Sequence, residues 1–236
     1  MSKTGTFRSV PMALALLIAL VAALAALAFT GGDSALAHER GAKHGKAQQA
    51  KGKITAKELA FRNDMRRLWE DHITWTRLAI ISLTTDAPDT EATVGRLLQN
   101  QTDIGDAVKP FYGAAAGDEL TGLLREHILI AAELIAAARA GDQAAVANAQ
   151  ARWTANADEI AAFLNAANPR FWKLGEMRAM LREHLRLTTN EVVARLQGDW
   201  AADVATYDEI HRQALEMADM LSTGIVKQFP RRFRGR

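Results

Sequence analysis

The stretch "LTGLLREHILIAAELIAAA", Leu120 to Ala138, decides the fold. Leu120, Leu124, His127, Ala131, Leu134 and Ala138 step by 4-3-4-3-4, the spacing that lines one face of a helix packed lengthwise against another. Near the C-terminus Trp200, Val204, Tyr207, His211, Ala214, Ala218, Leu221 and Ile225 follow the same rule. From Ile54 onward alanine is abundant and no stretch sustains the period-2 alternation of a strand. The chain is predicted to be all-α.

Joints between the helices are marked by local chemistry. Gly-Asp recurs at Gly117-Asp118, Gly141-Asp142 and Gly198-Asp199; glycine can close one helix in the left-handed conformation and aspartate can cap the amides that open the next. "DAPDTE" (86–91) and "NPRF" (168–171) mark two more breaks. The helices expected are 55–86, 90–108, 118–140, 142–167, 172–197 and 199–227, with "KPFYGAAAG" (109–117) as the one longer connection. Short joints make successive helices antiparallel. The predicted fold is an up-and-down antiparallel bundle of about six helices.

Composition places this bundle behind an export segment. Lys3 and Arg8 precede an 18-residue apolar run, Met12 to Phe29, and the small-residue site Ala35-Leu36-Ala37 follows. That order is the mark of a secretory signal, 1–37, and the run's length also suits a retained membrane anchor. Residues 38–53 carry five Lys/Arg against Glu39 and read as a disordered basic linker. The bundle domain is then 54–227, followed by a basic tail, 228–236. An extracytoplasmic location, secreted or bound to the cell envelope, follows from this order. There are no cysteines, so disulfides, thiolate metal sites and cysteine nucleophiles are excluded.

Net charge is +2 over the chain, yet residues 54–226 hold 17 Lys/Arg and 25 Asp/Glu, a balance of 17 − 25 = −8. Basic ends on an acidic body suit an anionic cell surface or membrane headgroups rather than nucleic acid.

An internal repeat places one histidine in each third of the body. "LWEDHITWTRL" (68–78), "LLREHILIAAEL" (123–134) and "MLREHLRLTTNE" (180–191) set His72, His127 and His184 apart by 55 and then 57 residues. "RLLQNQTDI" from Arg96 and "RWTANADEI" from Arg152 follow the first two in matching phrases. The period suggests three related helical hairpins. Each histidine falls on the apolar stripe of its helix. Folding the hairpins brings His127 level with Asn156 and Glu159, His72 with Asn100 and Asp103, and His184 with Glu209, His211 and Arg212. A polar layer is thus expected across the middle of the core.

Two readings of that layer follow. In one, each imidazole bonds a threonine, asparagine or carboxylate on the facing helix, and the layer fixes register. In the other, His72, His127 and His184 converge on a divalent transition metal (zinc, copper, iron or manganese), with Glu159 completing the set. The acids before the histidines (Asp71, Glu126, Glu183) point about 100° away from them and are expected to pair with arginines such as Arg67, Arg125 or Arg182. The paired Glu-x-x-His segments of ferritin-like di-iron proteins are missing, as are a phosphate-binding glycine loop, a G-x-S-x-G elbow and an H-E-x-x-H pair.

At "LWEDHITWTRLAIISL", "NADEIAAFL" and "YDEIHRQALEMADMLSTGIVKQFP" the sequence resembles a family of exported helical proteins from Gram-positive bacteria, over roughly 68–230. Members carry names such as glycosyltransferase or acetylglutamate kinase. Both activities sit on α/β folds with nucleotide-binding loops, which this chain lacks. The resemblance therefore implies a helical fold and export, and transfers no catalytic residue. The expectation is an exported cell-envelope bundle whose histidine layer binds a metal or small ligand. The alternatives are a metal-dependent enzyme using that layer and a purely structural or partner-binding bundle.

Overall fold

The computed structural model describes residues 54–234; the expected signal segment and basic linker lie outside the described residues. Among the described residues six α-helices are formed: α1 (Ala56–Thr85), α2 (Thr90–Tyr112), α3 (Ala114–Ala140), α4 (Gln143–Ala167), α5 (Leu174–Gln197) and α6 (Trp200–Gln228). A 3-10 turn, Pro230–Arg232, ends the described chain, and there is no strand among the described residues. The all-α up-and-down bundle read from the sequence is the fold observed.

Local chemistry explains where the helices start and stop. Thr55, Asp142 and Asp199 each accept a hydrogen bond from a first-turn amide of α1, α4 and α6. Those amides have no partner within the helix, so each cap stabilises by roughly 1 kcal/mol. Gly141 and Gly198 close α3 and α5 with φ of 74° and 72°, a conformation that costs glycine nothing.

The helices pack in chain order around a closed ring, α1 beside α2 and so on, and α6 returns to α1. Within the ring α1 also touches α3 and α5. The odd-numbered helices therefore crowd toward the axis, and each is backed by the even-numbered helix that follows it. Their apolar faces form one main core, with Met65 and Trp69 from α1, Leu124 from α3, Ile160 from α4, Leu181 from α5 and Met217 from α6. Burial of each such side chain stabilises by about 1.5–3 kcal/mol.

Two local expectations are corrected. The long connection 109–117 does not exist: α2 runs through Pro110 to Tyr112, and Gly113 alone separates it from α3. Pro110 lies in the last turn, where its missing N–H forfeits a single bond. Gly117-Asp118 is then no joint. Gly117 faces Gly105 across the α2–α3 crossing, and a Cβ on either would overlap the other helix. The glycine is spent on close approach.

The second correction concerns α6. Trp200 and Val204, expected on the seam, are 59% and 54% exposed. Asp203 turns inward instead, because Arg77 and Arg195 neutralise it there. The seam holds only in the second half, where Ala214, Ala218, Leu221 and Ile225 are buried.

The basic C-terminal tail is held to the bundle. Phe233 is buried against Phe61 and Phe111, and Thr55 donates from its hydroxyl to the Phe233 carbonyl at 2.6 Å. Aromatic packing fastens the end of the chain to its beginning.

Candidate functional site: a histidine layer clamped by amides

His72, His127 and His184 come from α1, α3 and α5, the three inner helices, and all three are buried. Ring centroids lie 6.0 Å apart for His72 and His184 and 6.4 Å apart for His127 and His184. The sequence period thus becomes a spatial cluster on the bundle axis.

A side-chain amide from the second helix of the same hairpin holds each ring. Nδ1 of His127 lies 2.8 Å from Oδ1 of Asn156, and Nδ1 of His184 lies 3.2 Å from Oε1 of Gln213. An amide oxygen only accepts, so each of these Nδ1 atoms carries the proton and donates it. The same amides reach back with their NH2 groups. Asn156 donates to the Leu123 carbonyl at 3.1 Å and Gln213 to the Met180 carbonyl at 3.1 Å. Both carbonyls stand four residues before the clamped histidine. One amide therefore fixes an imidazole and its helix together.

The first hairpin divides this work between two residues. Asn100 donates to the Leu68 carbonyl at 3.0 Å, again four residues before its histidine. Gln101 meets Nδ1 of His72 through Nε2 at 3.2 Å. That same Nε2 also faces the Leu97 carbonyl and Oδ1 of Asn100, three acceptors for two protons, while the Gln101 Oε1 is buried without a partner. His72 is the least well satisfied member of the layer.

Burial sets the charge state. His72 and His127 are pushed down to about 3, chiefly by removal from water and further by the neighbouring imidazoles, and burial lowers His184 as well. All three are neutral at pH 7. In His127 and His184 the lone pair is left on Nε2, and no hydrogen bond among the described residues engages Nε2 of any of the three.

Other residues expected at the layer lie elsewhere. Glu159 is exposed and lines an open surface groove of about 710 Å³ with Glu119 and Tyr112. Glu209 and Arg212 are exposed, His211 faces Glu70 on the surface at 3.3 Å, and Asp103 lies near Arg96 at 3.9 Å. Among the described residues, no group of three or more His, Asp or Glu side chains is arranged to hold a metal ion. Of the acids before the histidines, Asp71 stands 4.0 Å from Arg67 as expected, whereas Glu183 pairs with Arg186.

Enclosed spaces in the core flank the layer without widening into a site. One of about 20 Å³ is lined by Leu134, Trp153 and Val192, and another of about 30 Å³ by Trp69, Leu124 and Leu181. A small-molecule site takes some hundreds of Å³. These spaces are apolar and at most water-sized.

One cluster went unread in the sequence. Arg77 of α1 pairs with Glu191 of α5 at 2.6 Å and with Asp203 of α6, and Arg195 reaches the same Asp203 at 2.8 Å. Glu191 and Asp203 are each 1% exposed. Burial raises the Glu191 carboxyl and the Arg77 guanidinium opposes that shift. The signal available was Glu191 itself, an acid within the apolar stripe formed with Thr188 and Val192.

Among the described residues, fold and site define a closed six-helix bundle of three similar hairpins, each contributing one amide-held histidine to a buried layer. Compared with known proteins, the chain matches no family model, no curated protein and no solved structure.

Proposed function

We propose that this chain is an exported, non-catalytic helical-bundle protein of the cell envelope, whose histidine layer sets the register of three hairpins and whose function is exercised on its outer surface. One observation carries the architectural part: an amide clamp ties a histidine on the first helix of every hairpin to the second, through one residue in the second and third hairpins and through two in the first. A polar group buried without a partner costs on the order of 1–3 kcal/mol. A slip of either helix would break both bonds of a clamp, so the layer penalises every register but one. The enclosed spaces leave no room for a substrate beside the imidazoles. Export rests on the basic start, apolar run and small-residue site of 1–37.

A second reading is favoured by a specific feature. Nδ1–H donation to an amide oxygen is how metal-ligating histidines are often oriented, and Nε2 of His127 and His184 is left with its lone pair. A transition metal would have to draw the three rings closer than they stand.

Elemental analysis of the protein, purified without chelator or affinity metal, separates the two. Absence of metal, with His72, His127 and His184 single variants that only melt earlier, supports architecture. Stoichiometric metal lost in each variant replaces the first reading with the second. Export is tested by fractionating cells that express the full chain; retention of the protein in the cytoplasm overturns it.

A further inference from the structure

We infer that the pole of the bundle where the described chain begins and ends is a docking face for anionic lipid headgroups; this rests on the envelope location proposed above. Contacts place four segments at this pole. Thr55 bonds Phe233, Arg232 donates to the Pro110 carbonyl, Gln228 donates to the Ala167 carbonyl and Lys227 lies over the Phe171 ring. The start of α1, the α2–α3 joint, the α4–α5 loop and the C-terminal turn therefore share one end. The sequence suggested two separate basic tails. The folded chain instead joins the C-terminal one to the α4–α5 loop.

Cations predominate at this end. Lys57, Arg170, Lys173, Lys227, Arg231 and Arg234 are exposed, and none forms an ion pair among the described residues. Of the nearby acids, Glu58 is engaged by Arg62 and both Asp106 and Asp118 by Lys109, while Glu119 and Glu176 are exposed and are outnumbered by the six cations. The opposite pole is of the other sign. Its joints carry Asp86, Asp89, Asp142 and Asp199, with Arg139 paired to Asp86. A molecule polarised in this way is oriented by a negatively charged plane as well as attracted to it.

Apolar side chains stand among the cations. Ile54 and Leu59 are 59% and 52% exposed, and Phe171 and Phe229 are half-buried at the same end. Cations interspersed with exposed apolar groups suit the headgroup boundary of a bilayer. In the sequence, residues 38–53 carry five further Lys/Arg against one acid. Charge and polarity thus favour a membrane surface over an uncharged partner.

The test uses the full chain and vesicles of phosphatidylglycerol or of phosphatidylcholine alone. Binding is measured by co-sedimentation for the wild type and for a variant combining Arg170→Ala, Lys173→Ala, Arg231→Ala and Arg234→Ala. A control variant carries Arg67→Ala, Arg152→Ala and Arg178→Ala on the flanks. Each headgroup-facing cation is worth about a fivefold change in partitioning. The expected result is a loss of more than about twentyfold on phosphatidylglycerol for the pole variant, and about threefold or less for the control. Phosphatidylcholine binding, to which the N-terminal apolar run contributes equally in all three proteins, should not change. Equal losses in the pole and control variants, or no preference of the wild type for phosphatidylglycerol, would overturn the proposal. Either result in a protein that still fractionates outside the cytoplasm refutes the docking face and leaves the export reading intact.

Discussion

His127 donates from Nδ1 to Oδ1 of Asn156 at 2.8 Å, and the Nδ2 of the same asparagine donates to the carbonyl of Leu123. Asn156 thus links the imidazole of one helix to the backbone of that helix one turn earlier. Replacing it by leucine leaves the buried imidazole N–H of His127 without a partner and the Leu123 carbonyl with only its bond within the helix. Asn156→Leu should cost about 2–4 kcal/mol in urea unfolding. His127→Leu with Asn156→Leu should cost less than the sum of the singles by at least about 1 kcal/mol. Additive losses would show that the pair is not a coupled unit.

The layer makes the bundle acid-sensitive. His72 and His127 have folded values of about 3 against an ordinary 6.5, so the unfolded chain binds more protons between those limits. Stability contributed by keeping them neutral is complete above pH 6.5 and falls as the pH is lowered toward 3. Each histidine adds a slope of about 1.4 kcal/mol per pH unit, opposed in part by the raised carboxyl of Glu191. Denaturant melts at pH 4, 5, 6 and 7 check the sign; a variant with His127→Gln should show a shallower decline. A stability curve flat from pH 7 to pH 4 would contradict the burial of neutral imidazoles.

The buried ion cluster should be intolerant of losing one partner. Arg77→Met leaves Glu191 and Asp203 with only Arg195 nearby, and a loss of about 3–5 kcal/mol is expected. Combining it with Glu191→Leu should recover most of that loss, because Arg195 and Asp203 then remain as a balanced pair. Thermal melts of the single and double variants decide the matter.

Gly224 of α6 packs directly under the indole of Trp172, where an added Cβ would overlap the ring. Gly224→Ala should therefore displace the α4–α5 loop and lower stability by about 1–3 kcal/mol, despite alanine's better helix propensity. Near-ultraviolet circular dichroism reports the indole's environment, and an unchanged spectrum with raised stability would refute the contact.

Much of the architecture was legible because helix periodicity and capping are local. The 4-3-4-3-4 spacing around His127 and the Gly-Asp pairs at 141–142 and 198–199 act within a few residues of chain, and the structure follows them. Gly117-Asp118 failed the same reading because nothing in that dipeptide tells a closing glycine from one on which two helices cross. Convergence of His72, His127 and His184 was likewise legible in their period. Their partners were legible only for Asn156 and Asn100, since a one-residue change of register decides which side chain of a facing helix comes level.

The sequence alone determined that the chain is helical, where most helices turn, and that three histidines lie on inward faces. Only the tertiary structure decided that amides rather than carboxylates hold those rings, that Glu159 stays outside, and that Asp203 turns inward to Arg77 and Arg195 while Trp200 is expelled. The reason is the range of the forces. Helix formation follows from hydrogen bonds between residues four apart, whereas a buried polar side chain is placed by whichever complementary group a distant helix brings within about 3 Å.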